Sequence, residues 1–172
     1  MKGFVLAAGF GTRLNPVTHC LPKPLLPVGG FPLVAYALRL LAHHGIVDIV
    51  VNVHHLAEQI QSKLGRGEQY GVNITYSHEE EILGTGGALK KVHKLLEDDT
   101  IVVVNSDTIL DLDLSRVIDF HRSYGSLATM VLREDSEKYQ EVISRITRKT
   151  GGDLRPQDRP DMGLVKKAAK GT

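Results

Sequence analysis

Five short apolar runs, separated by stretches of helical periodicity, restrict what this 172-residue chain can fold into. They fall at residues 3–8, 47–53, 73–77, 101–104 and 127–132. The second reads Val-Asp-Ile-Val-Val-Asn-Val, β-branched as a buried strand requires. Between the runs, Leu33, Tyr36, Ala37, Leu40 and Leu41 recur on one helical face, as do Leu56, Ile60 and Leu64, and then Leu89, Val92 and Leu96. Pro32 suits the first turn of the first helix and Gly45 its end, and residues 114–124 predict a fourth helix. Strands alternating with helices build crossover units, which place a mainly parallel sheet between two helical layers. The expected fold class is α/β, a Rossmann-like three-layer α/β/α arrangement with a mainly parallel central sheet.

In such sheets ligands sit beyond the carboxyl ends of the strands, where the chain order reverses. Three segments follow predicted strands and can converge there: the glycine loop after the first, the segment after Asn52, and Asn105-Ser106-Asp107. The glycine loop reads Leu6-Ala7-Ala8-Gly9-Phe10-Gly11-Thr12-Arg13-Leu14 and continues in Pro22-Lys23-Pro24-Leu25-Leu26-Pro27. Small residues at a strand end let a polyanion approach backbone N–H groups, and Arg13 and Lys23 add fixed positive charge. Pro16, Pro22, Pro24 and Pro27 hold the chain out of helix as far as Pro32. A Walker-type phosphate loop is absent, since no G-x-x-x-x-G-K-[ST] string occurs. A dinucleotide fingerprint fails at Leu14, where its third glycine belongs, and at Pro16, which blocks an immediate helix. Two readings remain: a tight turn, or a loop wrapping a nucleoside triphosphate between cationic clamps.

The 21 basic and 20 acidic residues leave a net charge of +1, so no global field favours nucleic acid or an anionic membrane. Residues 1–132 carry 11 basic and 13 acidic groups, while residues 133–172 carry 10 and 7. The second segment is therefore the more densely charged, and it is expected to be an atypical tail after a nucleotide-binding core at 1–132. Residues 137–150 could form a polar helix within it. Cys20 is the only cysteine, which rules out an intrachain disulfide. The apolar run after Met1-Lys2 stops at Gly9, short of a secretory signal, and reads as the first strand. A cytoplasmic location is expected.

The string from Leu6 to Val28 closely resembles the signature of the sugar-1-phosphate nucleotidylyltransferases, L-A-A-G-x-G-T-R-L-x-P-x-T…P-K-P-L-L-P-V, with His19, Cys20 and Leu21 in its variable gap. Similar strings follow in the family's order: Val51-Asn52-Val53-His54, Leu83-Gly84-Thr85-Gly86-Gly87-Ala88-Leu89 and Val104-Asn105-Ser106-Asp107. The likeness covers roughly residues 1–132. It is strongest for the branch holding the mannose-1-phosphate guanylyl-, N-acetylmuramate-1-phosphate uridylyl- and heptose-1-phosphate guanylyl-transferases. The resemblance implies condensation of an NTP with a sugar 1-phosphate to an NDP-sugar and pyrophosphate, with Mg²⁺ as cofactor. Leu6, Ala7, Ala8, Gly9, Gly11 and Thr12 would then bind nucleotide, with the Gly9 to Thr12 backbone on the phosphates. Arg13 would stabilise the leaving pyrophosphate, and Lys23 would bridge the α-phosphate and the incoming sugar phosphate. Asp107 would hold Mg²⁺, and Gly84 and Thr85 would lie against base and ribose. A helix cap is the bland alternative for Thr85 and for Asp107. Such enzymes need no nucleic-acid or membrane partner, and a homo-oligomer is compatible with the resemblance.

Other polar groups carry less. Glu79-Glu80-Glu81 reads as a solvated turn, although the family often has acidic residues there beside the nucleotide. Asp111 and Asp113 read as the start of a helix, His43-His44 as the end of one, and His54-His55 as a cap or cleft lining rather than a metal pair. Past residue 142 the family's pattern gives no acceptor-sugar residues and no second metal-binding aspartate. Two functions of different class follow: a nucleotidylyltransferase, or a non-catalytic domain that binds an NTP or nucleotide-sugar. The base and the sugar are not written in these residues.

Overall fold

A computed structural model of the chain describes residues 1–96 and 100–132, and divides it into compact units at Met1–Leu110 and Asp111–Thr172. The expected helix at 137–150 lies outside the described residues.

The first unit opens with β1 (Lys2–Leu6), whose Gly3-Phe4-Val5 centre is buried. Three short 3-10 turns follow, at Thr12–Leu14, Val17–His19 and Lys23–Leu25. An antiparallel hairpin, β2 (Pro27–Val28) and β3 (Phe31–Pro32), then delivers the chain to α1 (Leu33–His43). The remaining order is β4 (Asp48–Val53), α2 (Ala57–Leu64), β5 (Asn73–His78), α3 (Gly84–Leu96) and β6 (Ile101–Asn105). The main sheet is wholly parallel, in the order β5-β4-β1-β6. From β1 the chain steps outward through β4 to β5, and then returns to pair β6 with the other edge of β1. The order reverses at the β1–β6 seam, where Lys2 pairs with Ile101 and Leu6 with Asn105.

Right-handed crossovers put α1 and α2 on one face of the sheet and α3 on the other. Alternation along β1 agrees. A Cβ added to Gly3 would lie 3.1 Å from Leu41 of α1 and 3.2 Å from Ile49, so the strand approaches that helix closely. Phe4, the next residue, is fully buried with Val50 of β4 and with Ala88, Val92 and Leu96 of α3.

The buried stripe of α1 is wider than its periodicity predicts, and rotated. Val34, Ala35 and Leu38 join Leu33, Ala37 and Leu41 in the core, whereas Tyr36 and Leu40 are only half-buried. Tyr36 leans toward the hairpin, where its hydroxyl donates to the Val28 carbonyl at 2.8 Å. His43 ends the helix with His44 as its cap, and Gly45 follows at φ +73°.

In the second unit, α4 (Leu114–Ser123) begins at Asp113, whose carboxylate accepts from the backbone N–H groups of Ser115 and Arg116 at 3.0 and 3.4 Å. The strand expected at 127–132 does not form. Its residues favour a pleated conformation, but a strand needs an edge to pair with, and none lies among the described residues of this unit. Leu127 is left fully exposed. Among the described residues no helix is long and apolar enough to cross a membrane.

Phe4 joins two strands to α3 at the centre of the sheet. Phe4→Ala is expected to lower the unfolding free energy by about 3–5 kcal/mol. Urea titration of the full chain reads this as a lower midpoint at unchanged slope. A loss below about 1 kcal/mol contradicts the packing described.

Candidate functional site

At the carboxyl ends of β1, β4 and β6 the first unit opens into a cleft of about 330 Å³, within the roughly 300–1,000 Å³ of small-molecule sites. It lies at the reversal of strand order. Every site residue expected from the sequence lines it: Leu6, Ala7, Ala8, Gly9, Gly11, Thr12, Arg13, Lys23, Gly84, Thr85 and Asp107. Leu14, Pro24, Asn52, Glu79, Ile82, Asn105 and Ser106 complete its walls.

The glycine loop is held from beneath. Gly11 sits at φ +66°, and a Cβ there would approach Lys23 Cβ and Thr18 Cγ2 to 3.0 Å each. The fold itself therefore demands this glycine. Thr18, buried at 1% exposure, donates its hydroxyl to the Gly11 carbonyl at 3.1 Å and lies 2.7 Å from the Asn15 side-chain amide. The Thr18 carbonyl in turn accepts from His55 Nε2 at 2.9 Å. Phe10 rests against the rings of His54 and His55 with centroids 5.2 and 5.6 Å away.

Gly9 differs from Gly11, since a Cβ there would meet nothing within 4 Å and its φ is ordinary. Among the described residues, no protein acceptor takes the backbone N–H of Gly9, Phe10 or Gly11. Free N–H groups on a bent backbone form a concavity suited to phosphate oxygens.

Two segments far apart in sequence meet across the floor. The Lys23 ammonium, on the third 3-10 turn, pairs with the Asp107 carboxylate, which follows β6. Burial pushes the Asp107 carboxyl up. The hydrogen bond and charge of Lys23, with the Thr108 hydroxyl and the backbone N–H of Asp107, outweigh that and hold it below the usual aspartate range. Arg13 stands exposed on the first 3-10 turn with no ion-pair partner among the described residues. A hard divalent cation such as Mg²⁺ keeps several waters and binds through one or two carboxylates plus substrate phosphates. Asp107, partly exposed in the cleft that the glycine loop also lines, fits that pattern. Among the described residues no group of three or more His, Cys, Asp or Glu gathers into an all-protein metal cage.

The far wall corrects one expectation. Glu79 is no part of a solvated turn; it is only 5% exposed, while Glu80 and Glu81 face solvent. Its Oε1 accepts from Asn52 Nδ2 at 2.7 Å and its Oε2 from the Leu83 N–H at 3.0 Å. Asn52 Oδ1 accepts from the Ala7 N–H at 2.7 Å. His54 Nδ1 lies 2.8 Å from the Glu79 carbonyl, and a carbonyl only accepts, so that nitrogen carries the proton. Each of the two adjacent histidines thus has its own backbone partner. One signal in the sequence pointed this way: Asn52 is the single amide within a run of β-branched residues.

Comparisons with known proteins place the chain in a family. The nucleotidyl transferase family model matches residues 2–140. The UTP–glucose-1-phosphate uridylyltransferase of a Synechocystis strain is 39% identical over 93% of this chain and 44% of its own length. The mannose-1-phosphate guanyltransferase of Debaryomyces hansenii is 45% identical over 83% of this chain and 41% of its own. The chain thus spans less than half the length of these relatives. Among solved structures, HddC from Yersinia pseudotuberculosis complexed with GMP-PN superposes with a TM-score of 0.63, at 30% identity over 70% of this chain and 53% of that one. A candidate glucose-1-phosphate thymidylyltransferase from Bacillus anthracis, in complex with sucrose, gives 0.68 at 32% identity over 72% and 50%.

The Asp107 carboxyl titrates lower in the folded chain than in the unfolded one, so the stability from its pairing is present above the ordinary aspartate range, about 3.9, and is lost as pH falls through the folded value. Lys23→Met is expected to raise the Asp107 pKa, followed by carbon-detected NMR of the carboxyl. An unmoved titration contradicts the pairing.

Proposed function

Because the chain belongs to the nucleotidyl transferase family, we propose that its cleft is the nucleoside-triphosphate half of a Mg²⁺-dependent sugar-1-phosphate nucleotidylyltransferase working in the cytoplasm. The observation that carries this is the meeting of Lys23 and Asp107 beside the free N–H groups of the glycine loop. It gathers one ammonium, one carboxylate of the kind that could take a hard cation and unpartnered backbone N–H groups in one place.

In the proposed reaction a sugar 1-phosphate oxygen attacks the α-phosphorus of the NTP, and the bond to the β-phosphate breaks to release pyrophosphate. The nucleophile is already ionised at neutral pH, so no general base is needed. Nucleophile and electrophile are both anionic, and catalysis reduces to charge neutralisation and in-line positioning. The Gly9 to Thr12 backbone, with Leu6, Ala7, Ala8 and Gly11 shaping the loop, holds the phosphates. The Arg13 fork spreads over several oxygens of the departing pyrophosphate. Lys23, a compact charge on a flexible stem, moves from Asp107 to bridge the α-phosphate and the incoming sugar phosphate. Asp107 is the residue that would hold Mg²⁺, and the ion would supply charge neutralisation across the phosphates. Gly84 and Thr85, at the start of α3, lie against ribose and base.

A non-catalytic NTP- or nucleotide-sugar-binding domain is the second reading, in which the Lys23–Asp107 pair serves binding alone. One experiment separates the two. Full chain, an NTP panel, Mg²⁺ and a panel of sugar 1-phosphates are expected to release pyrophosphate for at least one pair. Binding of NTP with release no greater than the blank establishes the second reading instead. In the active combination, Lys23→Ala is expected to cost about 10²–10³ in kcat with NTP affinity reduced only a few-fold. Asp107→Asn is expected to abolish the Mg²⁺ dependence of NTP binding, measured calorimetrically, and Mg²⁺ dependence that persists unaltered removes Asp107 from the metal site.

A further inference from the structure

Asn52 and Glu79 are 3% and 5% exposed, and neither chemistry nor packing alone accounts for their presence at the edge of a nucleotide cleft. Asn52 pairs with Leu6 in the parallel ladder, and β1 ends there. The next N–H along the chain, that of Ala7, finds its acceptor in the Asn52 side chain, which adds one rung to the sheet as the glycine loop begins. The same amide fixes its own orientation: with Oδ1 committed to Ala7, Nδ2 faces Glu79 Oε1. Glu79 Oε2 then takes the N–H of Leu83, the residue before α3 and before the Gly84-Thr85 pair. Both carboxylate oxygens accept from neutral donors, and among the described residues Glu79 has no cation within ion-pair distance.

We propose that Asn52 is a positioning residue that sets the two walls of the nucleotide cleft in one register, acting through Glu79. The chain Ala7–Asn52–Glu79–Leu83 runs from the first residue after β1 to the loop that opens α3; its first two links are buried hydrogen bonds of 2.7 Å and its third, at 3.0 Å, is partly buried. An amide is needed at its centre because that site must accept from one side and donate to the other. An apolar side chain of similar volume supplies neither, and an aspartate supplies only acceptors. The network takes its direction from Asn52: reversing the polarity of both members keeps every bond. In Asn52→Asp with Glu79→Gln, the new carboxylate accepts from Ala7 N–H and from the new amide, whose oxygen accepts from Leu83 N–H. This inference rests on the nucleotide reading of the cleft, and its test keeps the two apart.

The test is a double-mutant cycle on the full chain, with GTP, UTP and dTTP, each with Mg²⁺, titrated calorimetrically, and thermal unfolding followed in parallel. Asn52→Asp places two carboxylates face to face and is expected to weaken the tightest triphosphate by about tenfold or more. Glu79→Gln turns an amide N–H toward a backbone donor or else loses Asn52, and weakens binding as well. The double variant is expected to bind more tightly than either single one, by about tenfold over Asn52→Asp. Losses that simply add, or a double variant whose unfolding temperature recovers while its affinity does not, overturn the positioning role. Should Asn52→Asp fail to fold, recovery of folding and of triphosphate binding on adding Glu79→Gln supports the proposal, and recovery of neither overturns it. Wild-type chain that binds none of the three triphosphates overturns the nucleotide reading itself.

Discussion

Hydrogen bonding of β1 to strands on both of its edges stops at Leu6, with one further rung from Ala7 N–H to the Asn52 side chain, and the chain bends away there. Everything in the cleft depends on this. The two neighbours end within one residue of the same level, so Asn52 from one side and Asn105 to Asp107 from the other arrive where the glycine loop begins. Ser106 N–H closes on the Leu6 carbonyl at 3.1 Å while Ala7 N–H closes on Asn52, so the last turn of strand is tied left and right before the loop departs. A parallel sheet has this property by construction, because all its carboxyl ends share one rim.

Beyond that rim, polar groups divide into those the fold satisfies and those it leaves open. Among the described residues no buried side-chain nitrogen or oxygen lacks a hydrogen-bond partner. Thr18, Asn52, Glu79, His54 and His55 all serve to hold loops. In the cleft, among the described residues, the Gly9 to Gly11 N–H groups and the Arg13 guanidinium have no protein partner, while Lys23 pairs with Asp107. Among the described residues the cleft thus gathers Arg13, Lys23 and unpartnered N–H groups at one rim, a local grouping that the balanced net charge conceals.

The layers, the parallel sheet and the membership of the cleft were legible in the sequence, for reasons that differ. Residues 47–53 and 101–104 announce buried strands through composition, and the run from Leu6 to Val28 is a string specific enough to stand alone. What could not be read depends on contacts distant in sequence. Glu79 sits in a run of three glutamates that looks solvated, and only a partner 27 positions earlier draws it inside. The stripe of α1 widens because the hairpin claims Tyr36 and the sheet claims Leu38, a choice that periodicity does not encode. Residues 127–132 have strand composition without a strand, since pairing is a property of two segments and not of one.

The seam between β1 and β6 also bears on how the chain comes to be made. Lys2 leaves the ribosome well before its partner across the seam, Ile101, which follows only after most of the first unit has been synthesised. At roughly 5–20 residues per second that interval is about 5–20 s, long compared with the formation of any helix in between. During it, one edge of an apolar strand stays open to pairing with other chains, the circumstance in which nascent sheets aggregate. The site at the reversal point is therefore the last part of the unit to exist, and its completion coincides with the disappearance of that exposed edge.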